Sequence, residues 1–390
     1  MIQKVIVIGG GIGGLCTAIA LRQMGLNVTV YEKAAAIAPV GAGLTLWPNA
    51  LRVLRQLNLA DAIIQAGAQI EEAQIRTAAG HPLACSHPGQ LARQLGEPTI
   101  AIHRAALHRI LLDALPQEVV RLGAACTGFT QNEQQATATF AGGETAQADL
   151  LIGADGIHSS IRAQLWPRVK TRYAGYTAWR GVVTTAQTFI LGQTFESWGR
   201  GARFGVVPLS ENLIYWYATA NSIAGQTQSD PDHKIRLQQQ FQGWHSPIGY
   251  LLETTPAEAI LGHDIYDLSP FSPWSQGRAT LVGDAAHPTT PNMGQGACMA
   301  IESAFSLASC LKEHRQIAVA LRAYEAIRQP RTAYVTRQSW QIGQVGQWEN
   351  RWGCYLRDLL LGFSSDSLMQ KRLVQVANYV PEPLVEALAL

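Results

Sequence analysis

The first thirty residues alternate apolar runs with glycines in an order that predicts a strand, a turn, a helix and a second strand. Residues 5–8 form a continuous apolar run, as expected for a parallel strand that is buried on both faces. Residues 15–24 have helical spacing, and Gly25 marks the end of that helix. Residues 27–31 are predicted to be the next strand, so the segment is one strand–turn–helix–strand unit.

The segment up to residue 152 continues with helices and short strands. Helical spacing recurs at residues 48–66 and 105–115, with strands and loops predicted between them at residues 70–97. Residues 136–148 alternate around a glycine turn and lead into another buried strand at residues 149–152. This part of the chain therefore mixes helices with strands.

The pattern changes at residue 173. Residues 173–267 are rich in aromatic and β-branched side chains with regular turns, which predicts a mostly antiparallel sheet. A buried strand returns at residues 279–282, and the chain is helical in pattern from about residue 297 onward. Trp340, Trp348 and Trp352 lie in that last part, and aromatic residues in a helical segment predict core packing.

Length and composition favour a globular protein of two domains. The chain has 390 residues, which exceeds what one hydrophobic core usually serves. Its 47% hydrophobic and 15% charged residues exclude a disordered chain, and a net charge of +2 gives no indication of a nucleic-acid partner. The six cysteines form no CxxC pair and have no histidine at ligand spacing, so we expect reduced thiols and no metal.

The N-terminus resembles a signal peptide, because residues 5–21 carry no charge after Lys4. Two features argue against export: the ordered glycines, and the strand at residues 27–31 that cleavage would leave without its partner. No stretch approaches the roughly 20 apolar residues of a membrane span. The sequence therefore predicts a soluble, cytoplasmic protein without a transmembrane segment; its oligomeric state stays open.

The first chemical motif is Gly9-x-Gly11-x-x-Gly14, which follows a strand and opens a helix. One glycine makes the tight turn, one lets the backbone approach a pyrophosphate, and one lets the helix pack on the strand. Glu32 ends the second strand, where a carboxylate can accept hydrogen bonds from a ribose 2′-hydroxyl and would repel a 2′-phosphate. The motif therefore predicts a site for FAD or NAD and does not separate the two.

Two further motifs are ambiguous when taken singly. Asp155-Gly156 follows a strand and precedes a helix start near Ser159, which also suits an ordinary acidic turn with a helix cap. Asp284 lies at a strand end, where it could accept hydrogen bonds from sugar-alcohol hydroxyls. The Gly294–Gly296 loop precedes a helix whose N-terminus could stabilise negative charge on a flavin ring, or could simply be a glycine-rich cap.

In this order and spacing the three motifs resemble the group A flavoprotein monooxygenases, which have the p-hydroxybenzoate-hydroxylase-like fold. Within that family the chain is most similar to the FAD-dependent urate hydroxylases and the zeaxanthin-epoxidase-like members. The similarity rests on the phrases Val40-Gly41-Ala42-Gly43, Trp47-Pro48-Asn49, Tyr173-Ala174-Gly175-Tyr176 and Gly294-Gln295-Gly296-Ala297-Cys298.

The resemblance implies an α/β fold in which a Rossmann-like FAD-binding domain is interleaved with an antiparallel-sheet substrate domain and followed by C-terminal helices. We expect the FAD-binding domain at residues 1–70, 98–170 and 275–325. The substrate domain is expected at residues 71–97 and 171–274, and the helical segment at 326–390.

The resemblance also implies site residues. Those expected to bind FAD are Gly9, Gly11, Gly14, Glu32, Lys33, Arg104, Asp155, Asp284, Gly294, Gly296 and Ala297. Arg203 and Tyr215 match the arginine and tyrosine that face the purine in urate hydroxylases, so we expect them to stabilise and hydrogen-bond a substrate anion. Two positions depart from the pattern: Ser303 stands where the family has Asp, and Arg180 stands where the urate-type motif has Asn.

The chemistry implied by the resemblance belongs to the flavin. NADH or NADPH reduces FAD, O₂ adds at the flavin C4a atom, and the resulting hydroperoxide transfers one oxygen atom to an electron-rich phenol-like or urate-like substrate. Two alternatives remain open. One is a flavoenzyme on the same scaffold that does not hydroxylate, such as a reductase, epoxidase or cyclase, and the other is a catalytically silent flavin-binding protein that acts by interaction.

Overall fold

The computed structural model describes residues 2–36, 42–226, 232–363 and 366–380, with the backbone alone for residues 366–369 and 372. The phrase at residues 40–41 and the chain end at 381–390 lie outside the described residues. The strands are β1 (Lys4–Ile8), β2 (Asn27–Tyr31), β3 (Gly43–Leu46), β4 (Ala68–Gln69), β5 (Glu72–Thr77), β6 (Pro82–Ser86), β7 (Ile100–His103), β8 (Val120–Arg121), β9 (Cys126–Gln131), β10 (Ala136–Phe140), β11 (Thr145–Ala148), β12 (Leu150–Gly153), β13 (Arg172–Thr184), β14 (Gln193–Trp198), β15 (Ala202–Pro208), β16 (Leu213–Asn221), β17 (Leu261–Asp267) and β18 (Ala279–Leu281).

Helices separate these strands and dominate the last hundred residues. They are α1 (Ile12–Gln23), α2 (Pro48–Gln56), α3 (Ala60–Ala66), α4 (Pro88–Leu95), α5 (Arg104–Asp113), α6 (Ser160–Leu165), α7 (His233–Gln240), α8 (Ile248–Thr254), α9 (Gly296–Glu313), α10 (Ile317–Gly346), α11 (Arg351–Gly362) and α12 (Asp366–Ala377), with short 3-10 turns at Gln117–Val119, Ala257–Ala259, Gly283–Ala285 and Pro291–Met293. No described helix has both the length and the apolar character that crossing a bilayer requires.

A parallel sheet in the order β18-β12-β1-β2-β8 forms the centre of the Rossmann-like part. Strands β1 and β12 are apolar and buried, as strands covered by helices on both faces must be. Helix α1 packs against α9, and both lie on this sheet. Because parallel strands end at one edge, β1, β12 and β18 bring the three glycine and aspartate motifs together.

A seven-stranded sheet in the order β17-β13-β16-β15-β14-β5-β6 forms the second part. All its pairs are antiparallel except β14 with β5, so the early β5–β6 hairpin joins strands more than a hundred residues away. One face packs on α7 and α8 around buried Phe204 and Trp216. The other face carries Arg203, Tyr215 and Tyr217, and it turns toward the β3–β7 sheet of the first part.

The elements differ from the sequence prediction at several places. Helix α1 begins at Ile12, inside the glycine motif, and the stretch at 48–66 divides into α2 and α3 where Asn58 adopts a φ of 61°. Helices α4, α7 and α8 were not predicted. The expectation of core packing is wrong for Trp348 and Trp352, which are 39% and 78% exposed, while Trp340 packs on a buried cluster.

Candidate active site

The three glycines of the first motif differ in what a side chain would meet. Gly9 has a φ of 110°, which favours glycine, and a Cβ on it would lie 2.3 Å from the Ala154 carbonyl oxygen. A Cβ on Gly14 would lie 1.9 Å from the Gly9 carbonyl oxygen, so glycine is needed for α1 to pack on β1. Gly11 is open, because a Cβ there meets nothing within 4 Å. This open backbone next to a helix N-terminus fits a pyrophosphate.

Glu32 lies at the end of β2, beside the glycine turn. Its Oε2 accepts a hydrogen bond from the Gly10 amide at 2.6 Å, and its Oε1 accepts one from the Ala34 amide at 2.9 Å. The carboxylate is therefore held where the sugar of a dinucleotide would lie. Lys33 follows it and is exposed.

A histidine that the sequence did not single out for cofactor binding also contacts this turn. His108 lies on α5, with its Nε2 2.7 Å from the Gly10 carbonyl oxygen. Because a carbonyl oxygen only accepts, Nε2 is the protonated nitrogen and donates this hydrogen bond. The helix start beside it is capped by His103, whose Nδ1 accepts from the Ala105 amide at 3.2 Å. The contact between α5 and the turn is long-range, which is why local spacing did not reveal it.

Asp155 caps a helix and keeps one oxygen unpaired. Its Oδ2 accepts hydrogen bonds from the amide of Ser160 at 2.7 Å and from the Ser160 hydroxyl at 3.0 Å. Its Oδ1 is buried and has no hydrogen-bond partner in the described part of the chain. Buried polar atoms nearly always have a partner, so Oδ1 marks a position for a donor group of a bound ligand or a water molecule.

Asp284 lies on the 3-10 turn after β18, and its side chain is exposed. The protein atoms around its carboxylate raise the pKa of Asp284, and the charges of Arg104 and Arg162 oppose that rise. Arg104 begins α5 and is exposed, whereas Arg162 is buried on α6. The fold thus brings Arg104 and Asp284, both expected in the site, close enough to interact.

Arg162 joins the second and third motifs, although no role was predicted for it. Its Nη1 donates to the Ala285 carbonyl oxygen at 3.0 Å and its Nη2 to the Ile157 carbonyl oxygen. Burial lowers its pKa, while Asp155 and Asp284 raise it. In the sequence, the only indication of a role for Arg162 was its position within the second motif. Its contact with Ala285 joins residues that are 123 positions apart, which local spacing does not reveal.

The N-terminus of α9 is formed by Gly294, Gln295, Gly296 and Ala297. Gly294 adopts a φ of 62°, and no side chain caps the 18-residue helix. Gln295 is 1% exposed, and its Nε2 has no hydrogen-bond partner in the described part of the chain. Free amides at a helix N-terminus together with a buried amide donor fit an electron-rich ring edge.

A buried group of ion-paired side chains contacts this end of α9 through Gln295. Glu302 forms ion pairs with Arg328 at 2.7 Å and Arg331 at 3.3 Å, and both Glu302 and Arg328 are fully buried. The Asn49 amide donates both to Glu302 and to the side-chain oxygen of Gln295, at 2.5 and 3.0 Å. Burial would raise the pKa of Glu302, but the two arginines hold it below its usual range.

Ser303, which departs from the family pattern, completes this group. Its hydroxyl lies 3.1 Å from Arg328 Nε and 2.9 Å from His287 Nε2. Burial lowers the pKa of His287 to about 3, aided by the nearby Arg328 charge, so this histidine is neutral. A neutral, buried histidine that hydrogen-bonds Ser303 has a structural role.

Arg203 is buried, and each of its three side-chain nitrogens donates to a protein acceptor. Its Nε donates to Gln347 at 2.9 Å, its Nη1 to Glu196 at 3.1 Å and its Nη2 to Asn292 at 2.7 Å. Glu196 therefore balances its charge. The arginine links the seven-stranded sheet to the end of α10 and to the loop before α9.

Tyr215 faces the β3 strand and pairs with Arg180. A Cβ on Gly43 would lie 2.5 Å from its ring, so the ring packs directly on that glycine. Burial raises the pKa of Tyr215, and the charge and hydrogen bond of Arg180 oppose the rise. Within the described residues Arg180 has no carboxylate within ion-pair distance, and together with Arg104 it lowers the pKa of His263 beyond the effect of burial. In the described part of the chain, Arg180 is thus a cation beside Tyr215 without an ion-pair partner.

The six cysteines form no disulfide. Cys85 lies near Glu72 and His87 on the β5–β6 hairpin, where their ligand atoms are within 4.8 Å of one another. It is the one such group of three in the described ranges, and none of its residues belongs to the motifs above. The expectation of no metal stays a prediction.

Comparison with known proteins places these features in a family. The family model described as an FAD binding domain matches residues 3–339. The chain is 41% identical to the aurachin C monooxygenase/isomerase of Stigmatella aurantiaca, over 97% of this chain and 98% of that protein. It is 34% identical to the FAD-dependent urate hydroxylase of Klebsiella pneumoniae, over 84% and 86%.

Two further matches concern substrate and structure. The 2-heptyl-3-hydroxy-4(1H)-quinolone synthase of Pseudomonas aeruginosa is 32% identical over 92% of this chain and 94% of that protein. The crystal structure of Klebsiella pneumoniae HpxO with FAD and uric acid has a TM-score of 0.90 at 29% identity, and covers 96% of both chains. These matches cover nearly the whole chain and confirm the fold class and the resemblance seen in the sequence.

Proposed function

The chain belongs to the FAD binding domain family, and we propose that within it the protein is a monooxygenase whose substrate is a 4-quinolone. Its class is given by the family and the relatives, so the protein is an FAD-dependent monooxygenase that acts on aromatic or heteroaromatic compounds. NADH or NADPH is the electron donor typical of the family. The quinolone class, the residue roles below and O₂ as co-substrate are our proposal.

The residues present fit FAD. The open Gly11 backbone, the Glu32 carboxylate and the unpaired Asp155 oxygen would hold its ADP part, and Asp284 with Arg104 would hold the sugar-alcohol chain. The N-terminus of α9, with Gly294, Gly296 and Ala297, would meet the ring. When bound, FAD supplies electron transfer and oxygen activation.

The observation that carries the quinolone proposal is the pairing of Arg180 with Tyr215 on an apolar face. Tyr215 packs with the aliphatic side chains of Val182, Val207 and Leu209, and its ring centroid lies 6.0 Å from that of Tyr217. Uric acid carries polar groups on every edge, and those that meet the aliphatic side chains would lose hydration without gaining partners. A 4-quinolone presents one electron-rich oxygen and an apolar body, which match the Arg180–Tyr215 pair and the aliphatic side chains.

Each residue then has a defined task. The Tyr215 hydroxyl stays protonated because its pKa is raised, so it can donate a hydrogen bond to the substrate oxygen, and Arg180 balances the charge on that oxygen. Arg203 was expected to stabilise the substrate anion directly. Because Glu196 balances its charge, we propose instead that Arg203 fixes the position of Asn292 and the loop before α9.

The overall reaction balances for one oxygen atom. One molecule each of substrate, O₂ and NAD(P)H, with one proton, gives hydroxylated product, NAD(P)⁺ and water. We also propose the cytoplasm as the location, since the six cysteines form no disulfide, as is usual in a reducing compartment.

Binding and turnover measurements test the proposal. The native holoenzyme is titrated with a 2-alkyl-4(1H)-quinolone and with uric acid, and both flavin absorbance and NAD(P)H oxidation are followed. We expect the quinolone alone to bind and accelerate oxidation. Loss of a hydrogen bond from a charged donor in Arg180→Met should weaken its binding by about 10- to 150-fold. Tyr215→Phe is the matched variant that keeps the ring, and stimulation by uric acid but not by the quinolone would contradict the proposal.

A further inference from the structure

Helix α11 presents a stripe of apolar side chains to solvent, whereas its charged residue Arg357 is buried against the protein. This arrangement is the reverse of an ordinary surface helix, which buries its apolar stripe. The outward side chains, with their exposed fractions, are Trp352 (78%), Tyr355 (65%), Leu356 (50%), Leu359 (42%), Leu360 (60%) and Phe363 (80%). We call these six residues the α11 face.

Buried contacts fix this orientation. Arg357 is 2% exposed, and its Nη1 donates to the carbonyl oxygens of Gly199 and Gly346 at 3.1 and 3.3 Å, while its Nε pairs with Asp358 at 2.9 Å. Asn350 caps the helix by accepting the first free amides at 2.9 and 3.0 Å. Rotating α11 to bury its apolar side would break the hydrogen bonds of Arg357 and leave its charge without these partners. The outward orientation of the apolar side chains is therefore stable.

Charges at the N-terminal end of the α11 face are positive. Arg200 and Arg351 are exposed there, and Arg200 donates to the Glu349 backbone at 3.0 Å. The Glu349 carboxylate accepts a hydrogen bond from Asn221 at 2.8 Å, and Asp358 is paired with Arg357. Among the described residues, the unpaired charges at this rim are thus two cations and the Glu349 carboxylate, and their positive excess complements an anionic surface.

We propose that the α11 face docks the protein onto the surface of an anionic phospholipid bilayer. A 12-residue helix is about 18 Å long, too short to cross a bilayer but suited to lie in its interface. Trp and Tyr favour that interface, with Leu and Phe below them.

Docking would also place the substrate sheet close to the lipid. Arg357 contacts Gly199 and the Gly201 amide donates to the Trp348 carbonyl oxygen, so α11 covers the turn between β14 and β15. Arg203 is the second residue of β15 and lies two positions after Gly201. If the substrate is an apolar quinolone, as proposed above, it would enter from the bilayer; the docking itself does not depend on that substrate.

Vesicle flotation with the full-length holoenzyme tests the docking. Vesicles of phosphatidylcholine and phosphatidylglycerol are compared with phosphatidylcholine alone. We expect the native protein to float with the anionic vesicles and the double variant Leu356→Glu/Phe363→Glu to bind at least about tenfold more weakly. The matched control Ile190→Glu/Ile223→Glu changes two exposed residues, 66% and 72%, on other segments and should bind normally.

Further measurements separate the possible outcomes. Flavin absorbance and molar mass are recorded for every variant, so misfolding and self-association are detected. Arg200→Glu/Arg351→Glu should abolish the preference for anionic vesicles. Absence of native flotation, equal loss in the control, or a native dimer that the α11 variant dissociates without any vesicle binding would overturn the proposal. Quinolone turnover in vesicle-free buffer should stay unchanged in Leu356→Glu/Phe363→Glu, which distinguishes this test from that of the reaction.

Discussion

Replacing Gly11 by Ala should weaken FAD binding and leave the fold intact. Gly11 has a φ of −74°, which any residue adopts, and a Cβ there meets no protein atom within 4 Å. The fold therefore tolerates the methyl group, with a loss below about 1 kcal/mol for a changed helix cap. The methyl group instead occupies the approach to the pyrophosphate, where it displaces one charge-assisted hydrogen bond.

Such a hydrogen bond contributes about 1.5–3 kcal/mol, so the dissociation constant for FAD should rise about 10- to 150-fold. The assay titrates FAD into apoprotein and follows quenching of flavin fluorescence, while circular dichroism records apoprotein Tm. Gly13→Ala is the matched control, because its Cβ would point at Ala300 at 3.4 Å and away from the ligand. A native FAD affinity in Gly11→Ala would refute the pyrophosphate assignment.

Three further predictions concern stability. Gly14→Ala should destabilise the apoprotein by about 1–3 kcal/mol or more, seen as a lower urea midpoint, because its Cβ would lie 1.9 Å from the Gly9 backbone oxygen. Arg328→Met should lower the free energy of unfolding by about 3–5 kcal/mol, since it leaves Glu302 buried with one cation. The pKa of Glu302 is lowered in the fold, so its stabilisation is present above the unfolded value of about 4.3 and is lost as pH falls below it. The drop in urea midpoint from pH 6 to pH 4 should therefore be smaller in Glu302→Gln; an equal drop would contradict this.

The glycine turn and the elements around it were largely predictable from sequence because their requirements are local. The glycine spacing, the strand before it and Glu32 lie within about thirty residues, and each glycine meets a steric demand set by its neighbours. Four of the five strands of the parallel sheet were also predictable, since burial leaves apolar runs in them, whereas the two-residue strand β8 was not predicted. The break at Asn58 was not predicted either, because the leucines on either side keep the helical pattern through it.

The substrate face was less predictable because distant segments form it. Arg180 and Tyr215 come together because β13 pairs with β16. The hydrogen bond from Arg203 to Gln347 joins residues that are 144 positions apart in the sequence. The reversed α11 face contradicts the general rule that helical aromatics are core, and only the buried contacts of Arg357 explain it. The division into domains and the roles of individual site residues stay predictions.

Oxygen labelling tests the central claim most directly. The holoenzyme is supplied with NAD(P)H and a 2-alkyl-4(1H)-quinolone under ¹⁸O₂, and the product is examined by mass spectrometry. We expect one ¹⁸O atom per hydroxylated product molecule. A product without the label, or NAD(P)H oxidation that yields no oxygenated product with any aromatic compound tried, would contradict the account.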